Sequence, residues 1–161
     1  MEQGKFCCFS GHRQLPGTEL HTIRARLWTA IVSAYRRGFR HFLCGGALGF
    51  DTLAAQEVLL LRELHPDVSL TLALPFRGQA DRWSTEDRRV YARILAAADE
   101  VIYTAETYSK YCMQKRNRFM VDHSELCICY LTALTGGTAG TAAYALAQNC
   151  EVVNLALEEI K

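Results

Sequence analysis

Excess charge is the first thing this chain lacks: 18 Lys and Arg against 17 Asp and Glu leave +1 over 161 residues. With no basic surplus there is no broad electrostatic footprint for nucleic acid or an anionic membrane, so neither partner is expected. Lys115-Arg116-Asn117-Arg118 is a local exception. Proline is scarce, at three residues, and no low-complexity tract or linker divides the chain. One domain over residues 1–161 is expected, large enough to bury roughly 70% of its unfolded surface. The seven cysteines include no C-x-x-C pair, and most lie in apolar runs. They read as buried thiols in a reducing cytoplasm. Cys127 and Cys129 share a strand face, but no nearby histidine pair completes a metal site, and no metal is expected.

Two further absences narrow the class. The N-terminus carries no secretory h-region. Residues 126–150 contain no Asp, Glu, Lys, Arg or His, which superficially suggests a membrane span. The interruption Thr135-Gly136-Gly137-Thr138-Ala139-Gly140-Thr141 instead implies a strand, a loop and a buried helix. The same charge-free third offers a surface for homo-oligomerisation. Neither a dinucleotide G-x-G-x-x-G nor a P-loop Gly-Lys-Ser/Thr ending is present.

What the chain does have is two glycine-rich turns, each between a strand-like and a helix-like run. The first is Gly45-Gly46-Ala47-Leu48-Gly49-Phe50-Asp51 and the second Gly136-Gly137-Thr138-x-Gly140-Thr141. Glycine admits positive φ and close backbone approach, and the following helix offers unpaired N–H groups at its positive end. Around these turns the spacing predicts strands over 6–9, 41–44, 69–74, 101–103, 126–131 and 152–155. Helices are expected from Leu20 to Ala34, from Asp51 as N-cap, from a Ser84-x-x-Asp87 capping pattern, over 113–124 and over 138–148. Strict alternation means βαβ units, hence a Rossmann-like three-layer α/β/α fold with a mostly parallel sheet of five to six strands. Ligands in such folds bind outside the strand C-termini, where both turns, Ser10-Gly11-His12-Arg13 and Pro75-Phe76 would lie.

Each candidate has a functional and a structural reading. The first turn is either a ligand contact or simply tight, and Asp51 either caps a helix or accepts ribose hydroxyls or a proton. The second turn, with Thr138 and Thr141, either cradles phosphate or packs a helix closely on a strand. Arg13 would clamp a phosphate and His12 would be an acid or base, unless both sit in a solvent-exposed turn. Lys115, Arg116 and Arg118 either supply counter-charge or, for Arg118 and Asp122, form a surface pair. Phe76 and Trp83 are either aromatic walls for a base or core.

Taken in order, Ser10-Gly11-His12-Arg13, Gly45-Gly46-x-x-Gly49-Phe50-Asp51, Leu74-Pro75-Phe76 with Trp83, Arg116-Asn117-x-x-Met120-Val121-Asp122-x-Ser124 and Gly136-Gly137-Thr138 resemble the YpsA-like branch of the SLOG superfamily. That superfamily also holds the LOG (lysine decarboxylase-like) phosphoribohydrolases and DprA. The resemblance covers essentially the whole chain and implies a SLOG-type Rossmann-like domain with a pocket for nucleotides or derivatives such as NAD or ADP-ribose. LOG enzymes carry P-G-G-x-G-T-x-x-E, whose glutamate supports N-glycosidic cleavage. Here Thr135 stands for the proline, one residue is inserted, Tyr144 is nearest to the acid, and no carboxylate lies between Glu125 and Glu151.

The expectation is therefore a cytoplasmic nucleotide-binding module, a sensor or regulatory component. Its ligand contacts would come from Ser10, Gly11, His12, Arg13, Gly45, Gly46, Ala47, Gly49, Asp51, Pro75, Phe76, Arg116, Asn117, Gly136, Gly137, Thr138 and Thr141. The alternative is an N-glycosidic hydrolase of the LOG kind with Asp51 or His12 as the substituted acid/base. DprA-like nucleic-acid binding is disfavoured by the near-neutral charge.

Overall fold

A computed structural model of the chain describes residues 4–159; residues 1–3 and 160–161 of the expected domain lie outside the described residues. Six strands run in one chain order: β1 (Lys5–Gly11), β2 (Phe39–Cys44), β3 (Ser69–Leu74), β4 (Glu100–Tyr103), β5 (Leu126–Tyr130) and β6 (Glu151–Asn154). Between them lie α1 (Leu20–Arg36), α2 (Phe50–Leu64), α3 (Thr85–Ala97), α4 (Cys112–Asp122) and α5 (Gly137–Ala147). Across the sheet the order is β4-β3-β2-β1-β5-β6, and every neighbouring pair is parallel. The expected Rossmann-like α/β fold is what the chain adopts.

Alternate residues of each strand feed two separate cores, as the period of a pleated strand requires. Phe9, Phe42, Leu72 and Ile128 pack against Ile23, Leu27 and Ile31 of α1 and Ala54 and Val58 of α2. On the opposite face Cys8, Leu43, Ala73 and Cys127 meet Met120 and Val121 of α4 and Ala145 of α5. The chain steps outward from β1 to β4 with α1, α2 and α3 on one face. Helix α4 then crosses the other face and delivers β5 to the vacant side of β1. This reversal positions everything that follows.

Local signals held where they were strongest. The α1 stripe is buried at Ile23, Leu27, Ile31 and Ala34, although Leu20, in the first turn, stays exposed. Ser84 caps α3, its side chain accepting the Asp87 N–H at 3.1 Å. Asp51 does not cap α2, contrary to expectation. Gly49 is the N-cap residue, at φ +77°, and Asp51 sits in the first turn with its carboxylate accepting the Ala47 N–H at 3.2 Å. All seven cysteines are free and buried. Burial pushes the Cys129 and Cys150 thiols up to about 12, which removes them as nucleophiles near neutral pH. Among the described residues no helix is long and apolar enough to cross a membrane.

Candidate functional site

The strand order reverses between β1 and β5, where an open parallel sheet leaves a crevice outside its C-terminal edge. Gly11, His12 and Arg13 leave β1 on one side, and Ala133, Thr135, Gly136, Gly137 and Thr138 follow β5 on the other. Between them lies a cleft of about 330 Å³, which Ser10, Ala47, Asp51, Met113, Arg116 and Asn117 also line. Its β5 wall is anchored at the base. Asn154 accepts the Leu131 N–H at 2.9 Å and donates back to the Leu131 carbonyl at 3.0 Å. The Thr132 N–H donates to His12 Nε2 at 3.0 Å. A ring nitrogen that accepts this bond carries no proton, so neutral His12 holds its hydrogen on Nδ1. His12 thus latches the loop that follows β5.

The two glycine turns differ in what their missing side chains would meet. A Cβ on Gly11 would fall 2.3 Å from Phe50 Cγ, and one on Gly45 would fall 2.7 Å from Arg116 Nη1 and 2.9 Å from Asp51 Oδ2. On Gly46 it would meet Leu74 at 2.7 Å, and on Gly49 the Arg13 carbonyl at 2.2 Å. These glycines serve close packing. The start of α2 is also occupied, since the Phe50 N–H donates to the His12 carbonyl at 3.1 Å. Gly136, Gly137 and Gly140 have nothing within 4 Å of a Cβ. The N-cap Gly136, at φ +106°, offers no side-chain cap to α5. The first helical bond of α5 runs from the Gly140 N–H to the Gly136 carbonyl at 3.0 Å. The N–H groups of Gly137, Thr138 and Ala139 precede it, at the positive end of the helix dipole.

Charge in the cleft is arranged asymmetrically. Arg116 is not a surface clamp: it is 4% exposed, donates Nη1 to the Gly45 and Ala73 carbonyls, and donates Nε to Asn117 Oδ1 at 2.8 Å. It ties α4 to the ends of β2 and β3. Because guanidinium only donates, the Asn117 oxygen must face it, leaving the amide NH₂ as a donor. Burial lowers the Arg116 pKa, opposed chiefly by the charge of Asp51. Asp51 is 7% exposed. Burial raises its carboxyl above the usual range, against the pull of Arg116, the Ala47 N–H and Arg13. Arg13 is exposed at the mouth, with Nη2 3.8 Å from Met113 Sδ.

Several expected contacts fall elsewhere. Gly45, Gly46 and Gly49 shape the floor from behind and do not line the cleft. Pro75 is buried beyond it. Phe76 packs edge-on against Tyr108 and Trp83 against Tyr91, at centroid distances of 5.5 and 5.1 Å, so neither walls the cleft. Thr141 donates to the Gly137 carbonyl at 2.9 Å and lies in an adjoining groove. Arg118 and Asp122 meet through Tyr144: the guanidinium lies 4.7 Å over its ring, and its hydroxyl donates to Asp122 at 2.7 Å. Met113, Ala133 and Thr135 were not anticipated. Met113 and Asn117 are four apart on α4, so helical spacing from Asn117 was the available signal. The near-neutral charge also hid a local surface. Tyr108 and Tyr111 are exposed, and the Lys110 ammonium lies 5.3 Å from the Tyr111 ring centroid.

The chain belongs to the YspA SLOG family, whose model matches residues 7–158. It is 35% identical over 116 residues to the uncharacterized SPbeta prophage-derived protein YoqJ of Bacillus subtilis, covering 65% of this chain and 68% of YoqJ. To the UPF0398 protein YpsA of the same organism it is 28% identical over 108 residues, 66% of this chain and 60% of YpsA. A solved structure of DNA processing protein A from Helicobacter pylori, described for its single-stranded DNA binding mode, superposes with a TM-score of 0.67. That match is 18% identical and covers 93% of this chain and 64% of the other. It establishes a shared fold, and each relative extends well beyond the part matched.

Proposed function

We propose that this SLOG-family domain binds a phosphorylated, sugar-bearing nucleotide derivative, such as NAD or ADP-ribose, in the β1/β5 cleft as a sensor or regulatory module. The observation that carries the reading is the pair Gly137 and Gly140 within α5, which neither a neighbour within 4 Å nor a positive φ requires to be glycine. Glycine inside a helix costs about 0.5–1 kcal/mol relative to alanine. Nothing in the packing offsets that cost, whereas an anion resting on the bare amides of α5 would. Asp51 supports the sugar end, since a buried carboxylate at the cleft wall is an acceptor for vicinal hydroxyls. Arg13 and the Asn117 NH₂ support the phosphate.

Thermal unfolding against a panel of NAD, ADP-ribose and nucleoside monophosphates tests this. A ligand at 100 times its Kd adds about 2.7 kcal/mol, roughly 5–10 °C for a domain of this size. No shift at millimolar concentrations across the panel refutes it. If the cleft also cleaves its ligand, Asp51 is the acid/base, being the titratable group there whose proton affinity burial raises. Chromatography would then detect free base, lost in Asp51→Ala.

A second reading, single-stranded nucleic-acid binding, is favoured by the exposed Tyr108 and Tyr111 beside Lys110. It predicts a salt-sensitive shift of a labelled single strand that Tyr111→Ala abolishes and that free nucleotides do not compete.

A further inference from the structure

We propose that the groove between α4 and α5 is a second subsite, continuous with the cleft, that takes the nucleoside on the far side of the ligand's phosphate. The inference rests on the nucleotide reading above and adds to it a two-ended ligand and the residues that receive its second end.

The groove encloses about 430 Å³ between Gln114 and Arg118 of α4 and Gly140 and Tyr144 of α5. Met113, Asn117, Gly136 and Gly137 line both the groove and the cleft. The two spaces therefore meet at the exposed N–H groups of α5. In order along this path come the Asp51 carboxylate, the helix amides, and then the groove. With a sugar at Asp51 and a phosphate on the amides, the groove between α4 and α5 is the adjoining space for a group beyond the phosphate. A nucleoside monophosphate would leave one of the two spaces empty.

The lining suits a nucleobase. Tyr144 and the Arg118 guanidinium already stack at 4.7 Å, and Met113 is a polarisable thioether at the junction, with Arg13 and Arg116 against its sulfur at 3.8 and 3.9 Å. Among the described residues the Gln114 side-chain amide has no hydrogen-bond partner, so its donor and acceptor are available to a base edge. Among the described residues no carboxylate lines the groove, whereas Lys110 and Arg118 do. Gly140 faces this space with nothing within 4 Å of its Cβ position. The two walls follow helical spacing: residues 113, 114, 117 and 118 of α4 oppose 137, 140, 141 and 144 of α5, with Lys110 in the turn before α4.

Calorimetric titration of the whole chain with ribose 5-phosphate and with ADP-ribose tests the assignment. The short probe reaches only the cleft, and the long one reaches both spaces. Wild type should bind ADP-ribose at least tenfold more tightly than ribose 5-phosphate. Tyr144→Ala removes the stacking ring from the α5 wall and Gln114→Trp fills the groove from the exposed face of α4, so misfolding of one variant leaves the other informative. Each should erase the ADP-ribose advantage and keep ribose 5-phosphate binding within twofold. Equal affinity of wild type for both probes, an advantage that survives the folded variants, or equal weakening of both probes each overturns the groove assignment alone. Wild type that binds neither probe overturns the nucleotide reading and the groove with it.

Discussion

The sharpest stability test contrasts two glycines at the starts of equivalent helices. Gly140 lies inside α5, and a Cβ there meets nothing within 4 Å. Replacing it with alanine removes the backbone entropy penalty of glycine without creating a contact, which should stabilise the unliganded protein by about 0.5–1 kcal/mol. For a domain of this size that is about 1–4 °C in Tm. Gly49 is the N-cap of α2, at φ +77°, with a Cβ position 2.2 Å from the Arg13 carbonyl and 2.5 Å from that of His12. Gly49→Ala adds backbone strain of about 1–3 kcal/mol to overpacking of about 1–3 kcal/mol, so a loss of about 2–6 kcal/mol is expected. Urea unfolding with a common m-value measures both variants. The opposite signs are the point. Destabilisation of Gly140→Ala by more than about 0.5 kcal/mol would mean that the α5 face is already packed, and the claim of an empty anion seat would fail.

Arg116→Met should cost about 3–5 kcal/mol, because the Gly45 and Ala73 carbonyls lose a buried donor and Asp51 its nearest positive charge; denaturant unfolding reads this directly. Asp51 has its carboxyl raised from 3.8, so the folded state holds that proton more tightly than the unfolded chain. Stability is then lost as pH rises from 3.8 through the folded value, and stays lost above it. Asp51→Asn keeps an acceptor for Ala47 and should match wild type in acid, exceed it at neutral pH, and bind sugar phosphates more weakly; a pH series of Tm values with ligand titration checks all three. Gly136→Ala should cost about 1–3 kcal/mol despite open space, since φ +106° with ψ −175° is glycine territory; a thermal melt within error of wild type would contradict that. Asn154→Ala releases Leu131 on both sides and should cost about 1–3 kcal/mol, with faster amide exchange at Leu131 and weaker anion binding although Asn154 does not line the cleft.

Much of the fold was legible because it rests on local periodicities. The strands at 69–74 and 126–130, the α1 stripe and the Ser84 cap all follow from spacing and turn chemistry that neighbours along the chain express. The family motifs also pointed to one corner of the sheet, and Ser10 through Arg13, Asp51, Asn117 and Gly136 through Thr138 line a single cleft there. What the pattern of residues left open was which glycines serve the protein's own packing and which leave space. Gly45 and Gly137 are indistinguishable as letters. They differ because the crossover of α4 places Arg116 against one and nothing against the other. The hydrogen bonds of Arg116 and His12 were hidden for the same reason: their partners, the carbonyls of Gly45 and Ala73 and the N–H of Thr132, are more than 40 residues away in sequence. Composition and spacing determined the alternation of strands and helices, because those depend on a residue's near neighbours. Only the tertiary arrangement decided which polar groups are spent on the fold and which face the cleft, because that depends on what the sheet order brings alongside each one.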